Sequence, residues 1–283
     1  MSFQKFKPEV WSAKFMDDLD KTLVFKENCN HAYEGDAKEP GDGVRILKVG
    51  DVSVGAWHDG QLHELGDAQV VNGSSLYMPI NEIRYFHFFV DDLDKAQAQG
   101  GSGLLSKHMS KAKDNAADEI DQFIAKMHVD NTAKFDSTAP GSIVALTVDT
   151  VLNAIDKCYL MLLENNVSRT TKVTLTVPPA FTMLLKRAYV ELDTDNSAML
   201  KNGRVGQYGG IILKESNNCF KDENGIYRLQ MKTDNALAFV NPYTHTEAYR
   251  PDKAFKDCVK GYTLFDGKVI DDKQCIDFNI KLA

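Results

Sequence analysis

The sequence has no run of about twenty apolar residues, so no segment reads as a membrane-crossing helix. Met1 to Pro8 are polar and basic, without the apolar stretch of a secretory signal, and the chain is expected to be made and used in a cytosol. It has no excess of positive charge: 33 Lys and Arg face 40 Asp and Glu, a net charge of −7. A dedicated nucleic-acid reader shows a basic face, so that class is disfavoured, although loose contact through a local patch stays open. The five cysteines, Cys29, Cys158, Cys219, Cys258 and Cys275, form no CxxC pair, which removes zinc ribbons and thioredoxin-type sites. They read as small buried or half-buried thiols in a reducing compartment. What is present is ordinary globular material, 43% hydrophobic and 26% charged over 283 residues, enough for one large or two modest domains.

Residues 1–40 read as an arm with one helix. Pro8 suits a first helical turn, and Trp11, Phe15 and Leu19 follow at steps of four. So narrow a stripe has little core of its own and is expected to pack on something else, another chain included. Residues 43–90 read as β, with Val44, Ile46, a run from Val49 to Val54, an alternation at Leu76, Met78 and Ile80, and the run Ile83 to Val90. The polar, glycine-bearing middle from Gly55 to Gly73 makes the first part a two-stranded ribbon with a long tip. A lone ribbon is marginal in water, so a surface is expected to cover it.

The clearest helix carries Leu105, Met109, Ala112, Ala116, Ile120, Phe123 and Met127 on one face, with Gly100-Gly101-Ser102-Gly103 before it. It is expected to lie across a sheet; a coiled coil is the rival, weakened by the two alanines in the seam. Residues 141–245 read as a compact α/β unit. It has a strand at Ile143 to Thr147, a helix from Asp149, a buried strand Val173 to Val177 stopped by Pro178-Pro179, and a helix Phe181 to Val190. A glycine-rich turn and strand within Val205 to Lys214 and a strand Ala236 to Val240 complete it. The last residues alternate, and Asp266-Gly267 reads as a hairpin turn.

Candidate chemistry is sparse. Gly203, Gly206, Gly209 and Gly210 have neither phosphate-loop spacing nor a following helix, so a plain turn is expected. His58 and His63 beside Glu64 lie in the ribbon tip, where solvated polar residues are the default over metal ligands. Asp193, Asp195 and Ser197 lack the glycine and glutamate of a calcium loop. No GxSxG elbow occurs, and Cys158 has no histidine that the sequence pairs with it. No catalytic constellation, cofactor site or metal site is expected.

Spread over nearly the whole length are segments that resemble the major capsid proteins of tailed bacteriophages, whose shell fold is shared with herpesvirus capsids. Phe6 to Phe15, with Pro8-Glu9-Val10-Trp11-Ser12 at its centre, resembles the opening of that family's arm, together with Leu23-Val24-Phe25. Gly41-Asp42-Gly43-Val44-Arg45-Ile46 resembles the start of its extended loop, the E-loop, and Tyr85 to Gln97 its exit into the spine helix. Val177-Pro178-Pro179-Ala180-Phe181, Asn202 to Gly206 and Ser216-Asn217-Asn218 resemble its axial domain, and Phe255 to Tyr262 its last peripheral strand. Each pattern is short; their order and spacing together are specific. The glycines at 100–103 depart from the family and imply a kink or a delayed helix start, and Asp266-Gly267 falls where the family's strand often continues.

The resemblance implies an α+β fold: an arm at 1–40, an E-loop ribbon at 41–82, a peripheral domain with the spine helix at 83–140, an axial domain at 141–250 and returning strands at 251–283. It implies a structural, non-enzymatic subunit that self-assembles into pentamers and hexamers around double-stranded DNA and touches that DNA without reading its sequence. The implied location is the virion, with assembly in the host cytoplasm. A scaffolding protein, expected to be a separate chain because this one opens almost at the arm, and a portal are the further partners. Contacts between subunits are expected at Trp11, Phe15, Trp57, His58, His63 and Leu65. The same fold in a bacterial nanocompartment that encloses cargo protein is the runner-up. A soluble α/β enzyme built on Cys158 or the His58/His63 region is the rival from another class.

Overall fold

The computed structural model describes residues 23–33, 43–48, 52–61, 64, 67–71, 73–93, 104–129, 133–136, 145–191 and 204–282. In chain order the elements are β1 (Gly43–Lys48), β2 (Ser74–Pro79), β3 (Glu82–Asp91), α1 (Leu104–Lys126), β4 (Ala133–Asp136), β5 (Ala145–Leu146) and α2 (Val148–Glu164). There follow β6 (Val173–Val177), α3 (Pro179–Glu191), β7 (Arg204–Tyr208), β8 (Ile211–Glu215), β9 (Tyr227–Thr233), β10 (Leu237–Tyr249), β11 (Lys256–Val269) and β12 (Cys275–Leu282).

The α/β unit is built on a seven-stranded mixed sheet in the order β4-β12-β9-β6-β8-β7, with β5 also beside β12. Central β6 is buried at every position, as its unbroken Val-Thr-Leu-Thr-Val run requires. Helix α2 starts where Thr147 and Thr150 exchange the two bonds of a capping box. It ends at Asn165, followed by Asn166 at φ 64°, a left-handed residue of the kind that closes helices. Pro179 occupies the first position of α3, where its missing N–H costs nothing. Ile155, Cys158 and Leu162 of α2 and Phe181 and Leu185 of α3 complete one core with the sheet, where Phe181 meets Phe278 edge-on.

The second sheet has three long antiparallel strands, β10-β11-β3. The chain passes to it from β9 through Asp234–Ala236 and back to β12 through Ile270–Gln274, and the two crossings are tied where Ile270 and Asp271 donate N–H bonds to the Ala236 carbonyl. Helix α1 packs on one face of this sheet, with Phe123 edge-on to Phe265 at 5.3 Å and Ile120 and Ile124 fully buried. The close approach explains two glycines of β11: a Cβ on Gly261 would lie 2.5 Å from Phe86 Cζ, and one on Gly267 2.6 Å from Met127 Cε. Leu23, Phe25 and Cys29 join the same core. Asp121 of α1 holds that segment by accepting the N–H groups of Val24 and Phe25 at 3.0 and 3.2 Å.

A buried polar network fastens the end of α1 to the larger sheet. His128 bonds Asp277 at 3.1 Å through Nε2 and accepts from Gln230 at Nδ1, also at 3.1 Å. Arg228 donates to Asp277, to Asn279 and to the Val129 carbonyl. Burial holds the His128 imidazole below its usual range, so it is neutral and its Nε2–H donates to the carboxylate. Burial pushes Asp277 up, but the bonds from His128 and Arg228 outweigh it and hold the carboxyl below the usual range.

Several expectations need correction. Asp266-Gly267 is not a turn: both lie inside β11, opposite Val240 and Phe239, because Gly267 serves the contact with Met127. The chain reverses instead at the short 3-10 turn Asp272–Gln274, which Asp271 caps by accepting the Lys273 N–H. Strand β1 stops at Lys48, and Val52 and Val54 are exposed and outside any strand, since no apolar surface faces them. The run Ala236 to Val240 continues to Tyr249 and joins the three-stranded sheet; a short apolar run does not specify which sheet it enters. A strand, β7, also precedes the Gly209-Gly210 turn. Helix α1 runs from Leu104 to Lys126, and Gly100-Gly101-Ser102-Gly103 lie outside the described residues. Its stripe is uneven: Leu105, Met109, Ala112 and Ala116 are half-buried, whereas Ala117, Ile120, Asp121, Ile124 and Ala125 are buried. Ala112 and Ala116 line an open cleft of about 470 Å³ beside Arg84, His108, Lys111 and Glu119.

Candidate assembly surface

β1 and β2 pair antiparallel from Gly43 opposite Pro79 to Lys48 opposite Ser74. The surface expected to cover the ribbon is supplied, at its base, by the same chain. At its base Val44, Ile46, Met78 and Ile80 are buried against Ala238, Val240 and Leu264 of the three-stranded sheet. Period-two alternation delivers those side chains to one face. Beyond the base the character changes: Val54 is 93% exposed and Val70 80% exposed. Ser53 braces the two sides by donating from its N–H and its hydroxyl to Gln69 Oε1 at 2.9 and 2.8 Å.

Of the residues expected to touch other subunits, Trp57 and His58 lie in this exposed stretch, Trp57 being 43% exposed. Trp11, Phe15, His63 and Leu65 lie outside the described residues. His58 and Glu64 are exposed, and among the described residues no group of three or more His, Cys, Asp or Glu side chains is placed to hold a metal ion. Cys158 is buried beneath α2, where desolvation pushes its thiol well above the usual range and leaves it a poor nucleophile. The other cysteines are free thiols, buried at Cys29, Cys258 and Cys275 and half-buried at Cys219. Gly209 and Gly210, at φ 53° and 94°, make the plain turn expected of them. Asp193, Asp195 and Ser197 lie outside the described residues.

A second surface was not singled out from the sequence. Strand β3 alternates strictly: Arg84, Phe86 and Phe88 point toward α1, and Ile83, Tyr85, His87 and Phe89 point outward. Register sets them in rows across the sheet. Tyr85 faces Tyr262, which faces His245; His87 faces Lys260, which faces Glu247; Phe89 faces Cys258, which faces Tyr249. Tyr243, His245 and Tyr262 cluster with ring centroids 5.7–6.2 Å apart. Lys256 lies over the Phe89 ring and Lys260 over Tyr249, at 4.3 and 5.2 Å from the centroids. Tyr85 remains 82% exposed, Phe89 58% and nearby Phe255 83%. The ribbon base covers one end of this outer face, and the aromatic rows continue from it. The alternation of Ile83, Tyr85, His87 and Phe89 was the available signal; an aromatic on both faces of the run hid which face is wet.

The fold as a whole is shared with chains of phage capsids. A chain from Mycobacterium phage Che8 is similar over 90% of each chain, with 24% identity and a TM-score of 0.72. A chain of the capsid of cyanophage P-SCSP1u is similar over 92% of this chain and 89% of its own, with 14% identity and a TM-score of 0.69. The SrpI encapsulin of Synechococcus elongatus PCC 7942 is similar over 75% of this chain and 78% of its own, with 9% identity and a TM-score of 0.57. No known protein family and no curated protein matches the sequence.

Proposed function

We propose that the chain is the major capsid protein of a tailed bacteriophage, a structural and non-catalytic subunit that assembles through many copies of itself into a closed shell around double-stranded DNA. The observation that carries the reading is the match in fold along nearly the whole chain to capsid chains. In these terms the arm is 1–40, β1, β2 and their tip form the E-loop, α1 is the spine helix of a peripheral domain with β3, β10 and β11, and the seven-stranded sheet with α2 and α3 is the axial domain. The ribbon tip and the outer face of β3-β11-β10 are the surfaces through which copies meet, with the arm residues Trp11 and Phe15 and the tip residues Trp57, His58, His63 and Leu65 among the contacts. Aromatic rows with cations laid over them suit such contacts, because aromatic side chains contribute large area for little lost freedom. A shell sums many modest interfaces, arranged in rings of five and six copies. Scaffolding and portal proteins are its partners during assembly in the host cytoplasm, and its contact with DNA is local and independent of sequence.

The encapsulin match favours a second reading, a protein compartment that encloses other proteins. Sedimentation velocity of the chain produced alone tests the common element, self-assembly into large closed particles. Nuclease-protected DNA in particles taken from lysed host cells supports the capsid reading. Particles that hold protein cargo and no DNA support the compartment, and a monomer stabilised by a small ligand overturns both.

A further inference from the structure

A buried amine and a buried thiol meet where the segment around residue 29 touches both β9 and β10. Lys232 of β9 is 1% exposed, and its Nζ donates to Cys29 Sγ at 3.3 Å. The Cys29 thiol, 5% exposed, in turn donates to the Phe25 carbonyl at 3.4 Å. Among the described residues no carboxylate pairs with Lys232. A buried amine is costly to leave without a partner, and the partner it has here is the sulfur, met through an N–H. Asn28, the residue before Cys29, is fully buried, and neither polar atom of its side chain has a hydrogen-bond partner among the described residues. Glu27, two positions before Cys29, is 66% exposed at its side chain, so this segment runs close to the surface.

We propose that Cys29 and Lys232 form a covalent sulfur–nitrogen cross-link, a sulfenamide, when the protein meets a peroxide. The Cys29 sulfur attacks the peroxide, the O–O bond breaks, and sulfenic acid and one water form. The Lys232 lone pair then attacks that sulfur, the S–O bond breaks, and the hydroxide leaves with the proton released from nitrogen as a second water. Sulfur is oxidised by two electrons and the peroxide is reduced by two. The neighbouring thiol that would compete is Cys275, opposite Lys232 in the β9–β12 pair. Burial pushes Cys275 up to about 12, so almost none of it is thiolate and it attacks a sulfenic acid slowly. The link clips the segment around Asn30, which already bridges Ala238 of β10 in the three-stranded sheet, onto β9 of the seven-stranded sheet. The inference does not depend on the shell reading.

Peptide mapping of the full chain after dilute hydrogen peroxide tests it, with free thiols alkylated under denaturing conditions before digestion with trypsin. The expected result is a peptide joining the Cys29 and Lys232 segments with two hydrogens lost, no cleavage after Lys232, and no alkylation of Cys29. Dithiothreitol restores all three, and the oxidised protein melts higher than the reduced one. In Cys29→Ala the cross-linked peptide and the rise in melting temperature both vanish. A disulfide between Cys29 and Cys275 overturns the proposal. So does a Cys29 carried to sulfinic acid with Lys232 still cleaved, or one left fully alkylatable at peroxide levels that oxidise Cys219.

Discussion

Tyr85→Glu separates folding from assembly. In the single chain the Tyr85 side chain is 82% exposed on the outer face of β3, opposite Tyr262. It supports no core, so the change in the stability of the unassembled subunit should stay within about 0.5 kcal/mol. A fully covered aromatic side chain buries about 150–250 Å². At about 25 cal/mol/Å², covering what Tyr85 leaves exposed gains about 3–5 kcal/mol, part of which offsets the cost of association. A buried glutamate in its place adds a desolvation cost, so each contact should weaken by about 2–4 kcal/mol, roughly 30- to 700-fold in association. Sedimentation velocity across a concentration series reads the loss of large particles, and differential scanning fluorimetry of the unassembled subunit reads stability. Tyr85→Phe keeps the ring and should assemble nearly as the parent does. If Tyr85→Glu forms closed particles at the parent's concentration, the outer face of the sheet is not a contact between copies.

Three further outcomes are expected. Replacing the ribbon tip, residues 57–72, by a short Gly-Ser turn leaves a folded subunit with unchanged circular dichroism, because the ribbon base keeps its own core, but that subunit forms no closed particles in sedimentation. Asp277→Asn leaves Arg228 without its buried carboxylate and sets an amide N–H against one of two donors, His128 or Arg228; it should cost about 3–5 kcal/mol, read as a lower urea midpoint. Asp121 is carried the other way, up to about 6, by burial, so its contribution to stability is full below its unfolded value near 3.8 and is lost as pH rises through 6. That shift of about two units corresponds to about 3 kcal/mol, and Asp121→Asn should flatten the difference in urea midpoint between pH 5 and pH 7.5 relative to the parent.

Local patterns carried most of the secondary structure. The β6 run, the Pro178-Pro179 stop and the 3.6-residue stripe of α1 each have a cause within a few residues, and each appears where that cause puts it. What failed depended on contacts distant in sequence. Asp266-Gly267 has the composition of a turn, yet Gly267 is needed for its missing side chain, because Met127 of the helix end crosses it. The stripe of α1 drifts from half-buried Ala112 and Ala116 to buried Ala117 and Ile124, since the helix packs tightly at one end and flanks a cleft at the other. The network of His128, Asp277 and Arg228 spans 149 residues between its first and last members and leaves no periodic trace. In the candidate surface, the ribbon and its exposed Trp57 were legible from the polar, glycine-bearing tip. The aromatic rows of β3-β11-β10 were not, because they exist only once register aligns three strands.

Electron microscopy of the chain expressed alone or together with a scaffolding protein tests the central claim most directly. The account predicts closed particles built from rings of five and six copies, with the ribbon tip and the Tyr85 face of each copy at contacts between neighbours. A field of monomers or open aggregates under both conditions, or shells in which that face and the tip both stand free in solvent, would contradict it.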